Sequence, residues 1–247
     1  MRLGLPLLLA SISLADPAVA QPANVGTTPA RFTLPVCPGV YGLAPQQAAF
    51  VIERMRQVAG AAGMLLANQP CDPNAIVIVA SNKPQTIRGL EEKKSSYFPV
   101  EWSDRQIHAL ERDPYPAAAW QFEGLLTPDG IRVSEISDPS LLDPVEPRAL
   151  VQATPPTTLP ASRMRPSIKR DVMTAVLVVQ ADALKGLTTT QFADYAAMRT
   201  FARTDPRQSN LPVSDTILKV LDAPMGSVVP MSITARDLDF LKSYYGQ

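Results

Sequence analysis

The chain has 247 residues, 46% of them hydrophobic, which is enough to bury a core in one domain or at most two small ones. Lys and Arg number 23 and Asp and Glu number 23, a balance that excludes a strong overall field for nucleic acid or an anionic membrane. The 25 prolines are about twice the ordinary share. They concentrate between Thr127 and Pro166, so we expect this segment to be loop or sheet edge.

The N-terminus has the pattern of a signal peptide. An apolar run from Leu3 to Leu14 follows Arg2, and Ala18-Val19-Ala20 form a small-x-small cleavage pattern. The run is far shorter than the roughly 20 apolar residues that span a membrane, and no later segment is long and apolar enough to do so. We therefore expect residues 1–20 to be removed and residues 21–247 to form a single domain of a soluble exported protein, periplasmic or secreted.

Cys37 and Cys71 are the only cysteines. An even pair in an exported chain predicts one disulfide bond. The bond would close a loop of about 35 residues and contribute ~3–4 kcal/mol in the chain-entropy model. Two thiols are too few for a structural zinc site, which usually takes four nitrogen or sulfur ligands.

The first part of the mature chain predicts a helix and then a strand. Gln46 to Ala62 follows Pro45 and carries apolar residues three and four positions apart, which is typical of an amphipathic helix. Ala75 to Ala80 is a continuous apolar, β-branched run, which predicts a strand buried on both faces. The apolar positions of the helix are Phe50, Ile52, Met55, Val58, Ala59 and Ala62.

Two helices and a strand are predicted before the proline-rich segment. Lys83 to Lys94 has helical character, with Ile87 directed inward and its charge run forming a solvated face. Ser103 caps a short helix from Asp104 to Arg112. Ala117 to Leu125 alternates well enough to predict a strand.

The second half of the chain is also predicted to contain a strand followed by helices. Val172 to Val179 predicts a second buried strand, and the capping box from Thr188 to Gln191 predicts the start of a helix that runs to about Arg203. Ser214 to Leu221 predicts a shorter helix, and Thr234 to Gly246 predicts the last one. Strands that alternate with helices indicate an α+β protein with a mixed sheet and helices packed on it.

The residue types exclude several standard active sites. His108 is the only histidine, and on a short polar helix its simplest interpretation is a surface residue. One histidine cannot supply a two-histidine zinc motif. No G-x-S-x-G, G-x-G-x-x-G or Walker-type sequence is present. We therefore predict no catalytic residue, no metal and no cofactor.

One acid in the helix after Thr188 is ambiguous. Asp194, beside Tyr195 in a mostly apolar helix, would be a functional acid if it were buried and faced a pocket. It could equally face solvent beside Arg199, or pair with another side chain. Exposure or pairing of Asp194, with Met198 packed in the core, would favour a non-catalytic role.

Three stretches resemble an uncharacterised family of exported bacterial proteins. They are Pro35-Val36-Cys37-Pro38, the Cys71-x-Pro73-Asn74 lead into a strand, and Leu187-Thr188 with Gln191-x-Ala193-Asp194-Tyr195-Ala196-Ala197-Met198. The similarity extends over nearly the whole mature chain. It implies that the cysteine pair and the Ala-Asp-Tyr-Ala-Ala-Met helix belong together, and it brings no established activity.

The C-terminal half also resembles matrixin-like zinc peptidases. These have a strand, a helix bearing H-E-x-x-H-x-x-G-x-x-H, a turn and a final helix of the type L-T-x-x-D-x-x-x-L-x-x-L-Y-G, and residues 233–246 are close to that last pattern. When the helices are aligned, the three histidine positions fall on Asp194, Met198 and Thr204, and the glutamate position falls on Tyr195. The resemblance implies a zincin-like scaffold that lacks the zinc ligands and the general base.

We expect an exported, disulfide-bonded pseudoenzyme that binds or supports an unidentified protein or envelope partner. Asp194, Tyr195 and Met198 would then be core packing or a recognition surface. One alternative is a hydrolase with a site built from Asp194, Tyr195 and side chains of the proline-rich segment. Another is a domain that adds the segment from Thr154 to Pro166 to the sheet edge of a partner.

Overall fold

A computed structural model describes residues 30–92, 97–99, 102–126, 169–224 and 226–246. The predicted signal peptide and the proline-rich segment, including the stretch from Thr154 to Pro166, lie outside the described residues. In chain order the helices and strands are β1 (Pro38–Tyr41), α1 (Pro45–Ala61), β2 (Ala75–Ala80), α2 (Lys83–Glu91), α3 (Asp104–Arg112), β3 (Ala117–Leu126), β4 (Lys169–Gln180), α4 (Thr189–Phe201) and α5 (Ala235–Tyr245).

The four strands form one mixed sheet in the order β1-β2-β4-β3. β2 pairs in parallel with both β1 and β4, whereas β3 runs antiparallel to β4. The last strand in the chain is therefore inserted between β2 and β3. Among the described residues, this insertion leaves β1 and β3 at the two edges of the sheet. The mixed sheet and its surrounding helices confirm the predicted α+β class.

Helices cover both faces of the sheet. Successive residues of a strand point to opposite faces, so Val77 and Leu177 join the larger core with α1, α4 and α5. Val176 and Val178 join a smaller core with α2 and α3. Coverage on both sides explains why the central strands carry continuous apolar runs instead of an alternating pattern.

The predicted disulfide is present and fixes the first strand-helix-strand unit. Cys37 and Cys71 are bonded, with their Cα atoms 6.2 Å apart. Cys37 directly precedes β1, and Cys71 lies between α1 and β2. The side chain of Asn74 reinforces this link, because its Oδ1 accepts a hydrogen bond from the Cys37 N–H at 2.8 Å. The bridge therefore ties the start of β1 to the segment that connects α1 with β2.

The structure corrects some details of the predicted helices. Phe50, predicted to lie in the core, is 48% exposed, and its neighbour Val51 is buried instead. The other predicted core positions Met55, Val58, Ala59 and Ala62 are buried, so the correction concerns the first turn of the core-facing side only. α2 ends at Glu91, short of the predicted Lys94.

The helix predicted from Ser214 to Leu221 is also wrong. The structure has two short 3-10 turns there, Val213–Asp215 and Ile217–Lys219. Between them, the N–H of Ile217 donates to Oδ2 of Asp237 at 2.8 Å, so this donor is not used by a continuous helix. No helix in the described part of the chain is long and apolar enough to cross a membrane.

Candidate functional site

The helix α4 is buried along most of its length. Thr188 and Gln191 form the predicted capping box, in which Oγ1 of Thr188 accepts a hydrogen bond from the Gln191 N–H at 3.1 Å. Every residue from Gln191 to Phe201 is buried, and two of them, Asp194 and Arg199, have charged side chains. A buried charge is unfavourable unless it is paired. The partners of these two side chains therefore decide what the helix can do.

The carboxylate of Asp194 is completely buried and accepts three hydrogen bonds. Arg54 of α1 donates from Nε to Oδ1 at 2.7 Å and from Nη2 to Oδ2 at 3.0 Å. The backbone N–H of Ile233 donates to Oδ2 at 2.6 Å. Hydrogen bonding to Asp194 raises the pKa of Arg54. Asp194 thus ties α4 both to α1 and to the segment ahead of α5, and it does not pair with Arg199.

Tyr195 and Met198 are core residues. Both side chains are buried, and burial raises the pKa of Tyr195 to about 12. The Tyr195 hydroxyl makes no hydrogen bond of normal geometry with the described residues. It is nevertheless close enough to Tyr115 to add to the rise in the Tyr115 pKa, which is caused mainly by burial. Neither residue presents a reactive group to solvent.

The third aligned histidine position, Thr204, lies just beyond α4. Its Oγ1 donates to the carbonyl of Met198 at 2.9 Å, and both residues border an apolar pocket of about 380 Å³ with Leu218 and Phe240. Within the described ranges, no three His, Cys, Asp or Glu side chains are grouped so that they could hold a metal ion.

A larger cleft, of about 870 Å³, lies beside β3. Consecutive residues of β3, from Ala117 to Gln121, line it. Since successive side chains point to opposite faces of a sheet, a cleft that contacts all of them runs along the edge of the strand. Trp102 and Leu110 of the smaller core form one wall. The other wall is Arg199 with the segment 202–208 that follows α4.

Most of the charges in the cleft are paired with one another. Glu123 accepts from both Arg170, at 3.5 Å, and Arg203. Arg207 bonds to Asp113 at 2.9 Å and to Asp205 at 3.1 Å. Although partial burial opposes the change, hydrogen bonds from Arg207 lower the pKa of Asp205. These three carboxylates and three arginines form two local networks on the cleft wall.

The remaining charge, Arg199, has few partners. Its side chain lines the cleft, yet the residue is only 6% exposed. Nη1 donates to the carbonyl of Thr204, whereas Nε is buried and has no acceptor among the described residues. Gln121 of β3 has a similar defect. Its Nε2 donates to the carbonyl of Thr200 at 3.0 Å, but its buried Oε1 accepts no bond from the described residues.

Sequence reasoning places His108 correctly but misses the arginines. His108 is on the surface, where Nδ1 lies 3.2 Å from Glu111. Arg54 as the partner of Asp194 has no local sequence signal, because the two residues are far apart in the chain. Arg199 does have one: it is a single cation within the run Ala196-Ala197-Met198-Arg199-Thr200-Phe201. A charge inside such a run indicates either a buried pair or a site.

Comparisons of the chain with family models, with curated proteins and with solved structures found no match. The geometry of α4 and of the cleft beside β3 is therefore the basis for a functional proposal.

Proposed function

We propose that the protein is an exported, non-catalytic binding protein whose cleft accepts an extended segment of a partner polypeptide. The observation that carries this proposal is the course of the cleft along a ten-residue edge strand, β3. An edge strand presents unpaired backbone N–H and C=O groups, and an extended peptide can add to it as a further strand. Apolar walls from Trp102 and Leu110 would accommodate the side chains of such a peptide.

The contacts of α4 support a non-catalytic role. A general acid or base must reach the proton that it transfers. Asp194 borders neither the cleft beside β3 nor the apolar pocket at Thr204, and its carboxylate is occupied by Arg54 and Ile233. These contacts weigh against the alternative of a hydrolase built around Asp194 and Tyr195.

The order of the C-terminal elements supports a degenerate zincin-like scaffold. β4, α4, a turn region and α5 follow one another as the matrixin resemblance implies, and Thr234 with Asp237 forms a capping box at the start of α5. Asp194, Met198 and Thr204 supply no imidazole at the aligned histidine positions. On this proposal the scaffold has kept its helices, and the role of the catalytic helix is structural.

The disulfide supports export to the periplasm or out of the cell, since such bonds persist in oxidising compartments and are rare in the cytosol. The signal-peptide pattern at residues 1–20 agrees with this location. We propose that the partner is a protein of the cell envelope.

The test of this function begins with a library of extended peptides of about eight residues, a length comparable to that of a strand. The peptides are displayed at the C-terminus of a carrier and selected on the oxidised mature chain. Enriched sequences are synthesised with an N-terminal fluorescein, and their binding is measured by fluorescence polarisation. We expect saturable binding by at least one enriched sequence.

Amide hydrogen exchange then locates the bound peptide. Strand addition should slow the exchange of β3 amides, because their free N–H groups gain acceptors. The other edge strand, β1, is an internal control and should not change. Failure to enrich any peptide, or protection elsewhere without protection of β3, would contradict the proposed function.

A further inference from the structure

The cleft beside β3 contains a cation and an acceptor whose hydrogen bonds the described residues leave incomplete. We propose that Arg199 binds the free C-terminal carboxylate of the partner peptide and that Oε1 of Gln121 accepts the N–H of the peptide's last residue. This inference depends on the proposed function and specifies which part of a polypeptide the cleft takes.

The environment of Arg199 favours an anion. Guanidinium groups remain protonated in proteins, so Arg199 carries its charge into a site where it is only 6% exposed. No carboxylate among the described residues lies within the 4.0 Å that defines an ion pair. A buried cation that no carboxylate contacts directly is costly, and for Arg199 the electrostatic attraction of Asp205 offsets only part of this cost. An anionic group in the cleft would remove much of that cost.

The charges around Arg199 leave one positive charge unbalanced. Among the described residues of the cleft, the cations are Arg170, Arg199, Arg203 and Arg207, and the anions are Asp113, Glu123 and Asp205. Four cations against three anions give a balance of one positive charge. The three carboxylates are already bonded to the other three arginines. Asp205, which is bonded to Arg207, also attracts Arg199, so the cluster of charges around Arg199 keeps one unbalanced positive charge.

The Oε1 acceptor of Gln121 narrows the candidate ligands from all anions to those that combine a carboxylate with a neighbouring hydrogen-bond donor. Inorganic phosphate or a sulfate ester would satisfy Arg199 but would bring no N–H for the buried Oε1 of Gln121. The last residue of a peptide brings both groups, because one Cα atom separates its N–H from its carboxylate. Gln121 is also held beside α4, since its amide donates to the carbonyl of Thr200, the residue after Arg199.

A guanidinium is well suited to this role. Its planar set of N–H donors matches the two oxygens of a carboxylate, and such charge-assisted bonds are stronger than neutral ones. Nε of Arg199 is the donor that has no acceptor among the described residues. Capture of a C-terminal carboxylate is a known mode of peptide recognition, and here a side-chain pair would perform it.

The test compares each selected peptide as the free acid with the same peptide amidated at its C-terminus. Hydrogen bonds to charged groups contribute about 1.5–3 kcal/mol, so amidation should weaken binding about 10- to 100-fold. Fluorescence polarisation measures both dissociation constants on the oxidised mature chain. In a further pair, each internal Asp or Glu of the peptide is replaced by Asn or Gln, and we expect a change below about threefold.

Two variants of the cleft assign the effect to Arg199. Arg199→Gln should lower the affinity for the free acid to that for the amide and leave the amide affinity unchanged. Arg88→Gln removes the same charge from an exposed position outside the cleft, with 64% of the side chain accessible. It should change both affinities by less than about threefold. Gln121→Leu should weaken the free acid and the amide equally, because both peptides keep the N–H.

The outcomes separate this inference from the proposed function. Binding that resists amidation but requires an internal carboxylate would overturn the C-terminal assignment and leave the peptide-binding function standing. Equal affinities for acid and amide on the unchanged protein would overturn the role of Arg199. Failure of every peptide to bind would overturn both. Near-ultraviolet circular dichroism confirms that each variant is folded before its affinity is used.

Discussion

The two buried charged residues of α4 differ in how completely they are paired. Asp194 has three donors, two from Arg54 and one from Ile233. Arg199, a little more than one turn later, donates to Thr204 and keeps its Nε without an acceptor among the described residues. Asp194 holds α4 against α1, whereas Arg199 lines the cleft. The difference teaches that a buried charge with complete partners is structural, whereas one with incomplete partners marks a place where a ligand can bind.

Removing the disulfide bond, which restrains the unit containing α1 and its Arg54, should cause the largest loss in the free energy of unfolding. The double change Cys37→Ala with Cys71→Ala removes a bridge between residues 34 positions apart. We expect the free energy of unfolding to fall by about 3–4 kcal/mol in the chain-entropy model, measured by urea unfolding. Adding reductant to the double variant is the control and should change nothing further. Equal stability of the oxidised protein and the variant would show that α1 is held without the bridge.

Removing the carboxylate itself tests the pair directly. Asp194→Ala leaves the Arg54 guanidinium and the Ile233 N–H without their acceptor, so we expect a loss of about 3 kcal/mol, at the low end for a buried pair because Arg54 is partly exposed. The matched control is Asp239→Ala, an exposed carboxylate 3.7 Å from Lys242, with an expected loss below about 0.5 kcal/mol. Similar losses for the two variants would refute a structural role for Asp194.

Tyr195 lies between the two charges and predicts an alkaline limit to stability. Burial raises its pKa to about 12 in the folded protein, compared with about 10 in an unfolded chain. The folded state therefore favours the neutral phenol, and its stabilising effect is complete below pH 10 and is lost as the pH rises towards 12. The loss from this residue is about 1 kcal/mol at pH 11.

Urea unfolding between pH 8 and about pH 11 measures this alkaline loss in the unchanged protein and in Tyr195→Phe. The variant should lose less stability over that range because it has no phenol to ionise. Tyr41→Phe, at a residue with 52% exposure, is the control and should follow the unchanged protein. An identical pH dependence in all three proteins would rule out Tyr195 as a source of the alkaline loss.

A substitution of Arg199, which lines the cleft, should have the smallest effect on the free energy of unfolding. Arg199→Met removes a buried cation that has no ion pair with the described residues and keeps most of the side-chain volume, so we expect a change below about 1 kcal/mol in either direction. Thermal and urea unfolding of the variant measure it. A loss above about 2 kcal/mol would place Arg199 with Asp194, as a residue required for the fold and not for a ligand.

Local signals in the sequence were sufficient for most of the elements. The apolar run from Ala75 to Ala80 and the caps at Ser103, Thr188 and Thr234 depend on neighbouring residues, and each predicted element is present. The disulfide followed from the count of cysteines. Phe50 was misplaced although Val51, four residues before the buried Met55, fits the helical period of the core-facing side; the larger apolar side chain was preferred to the better spacing.

The site depended on pairings between distant residues, and those were not predictable. Asp194 meets Arg54 across 140 positions, and Gln121 meets Thr200 across 79. The insertion of β4 between β2 and β3 brings β3 beside the end of α4 and so creates the cleft. Nothing in the local pattern of β3 indicates that it is an edge strand next to four arginines. The mostly apolar sequence around Asp194 did indicate that this acid is either functional or paired, and the structure shows that it is paired with Arg54.

The position of β4 also has a consequence for the newborn chain. The N-terminus leaves the ribosome first. The first 168 residues are therefore synthesised before β4, the strand that lies between β2 and β3. Until then the sheet lacks its centre, and the long-range pairing that completes it is slow to form. A chain that is not yet folded during synthesis can be threaded through a translocation channel. The late synthesis of β4 is therefore consistent with the proposed export.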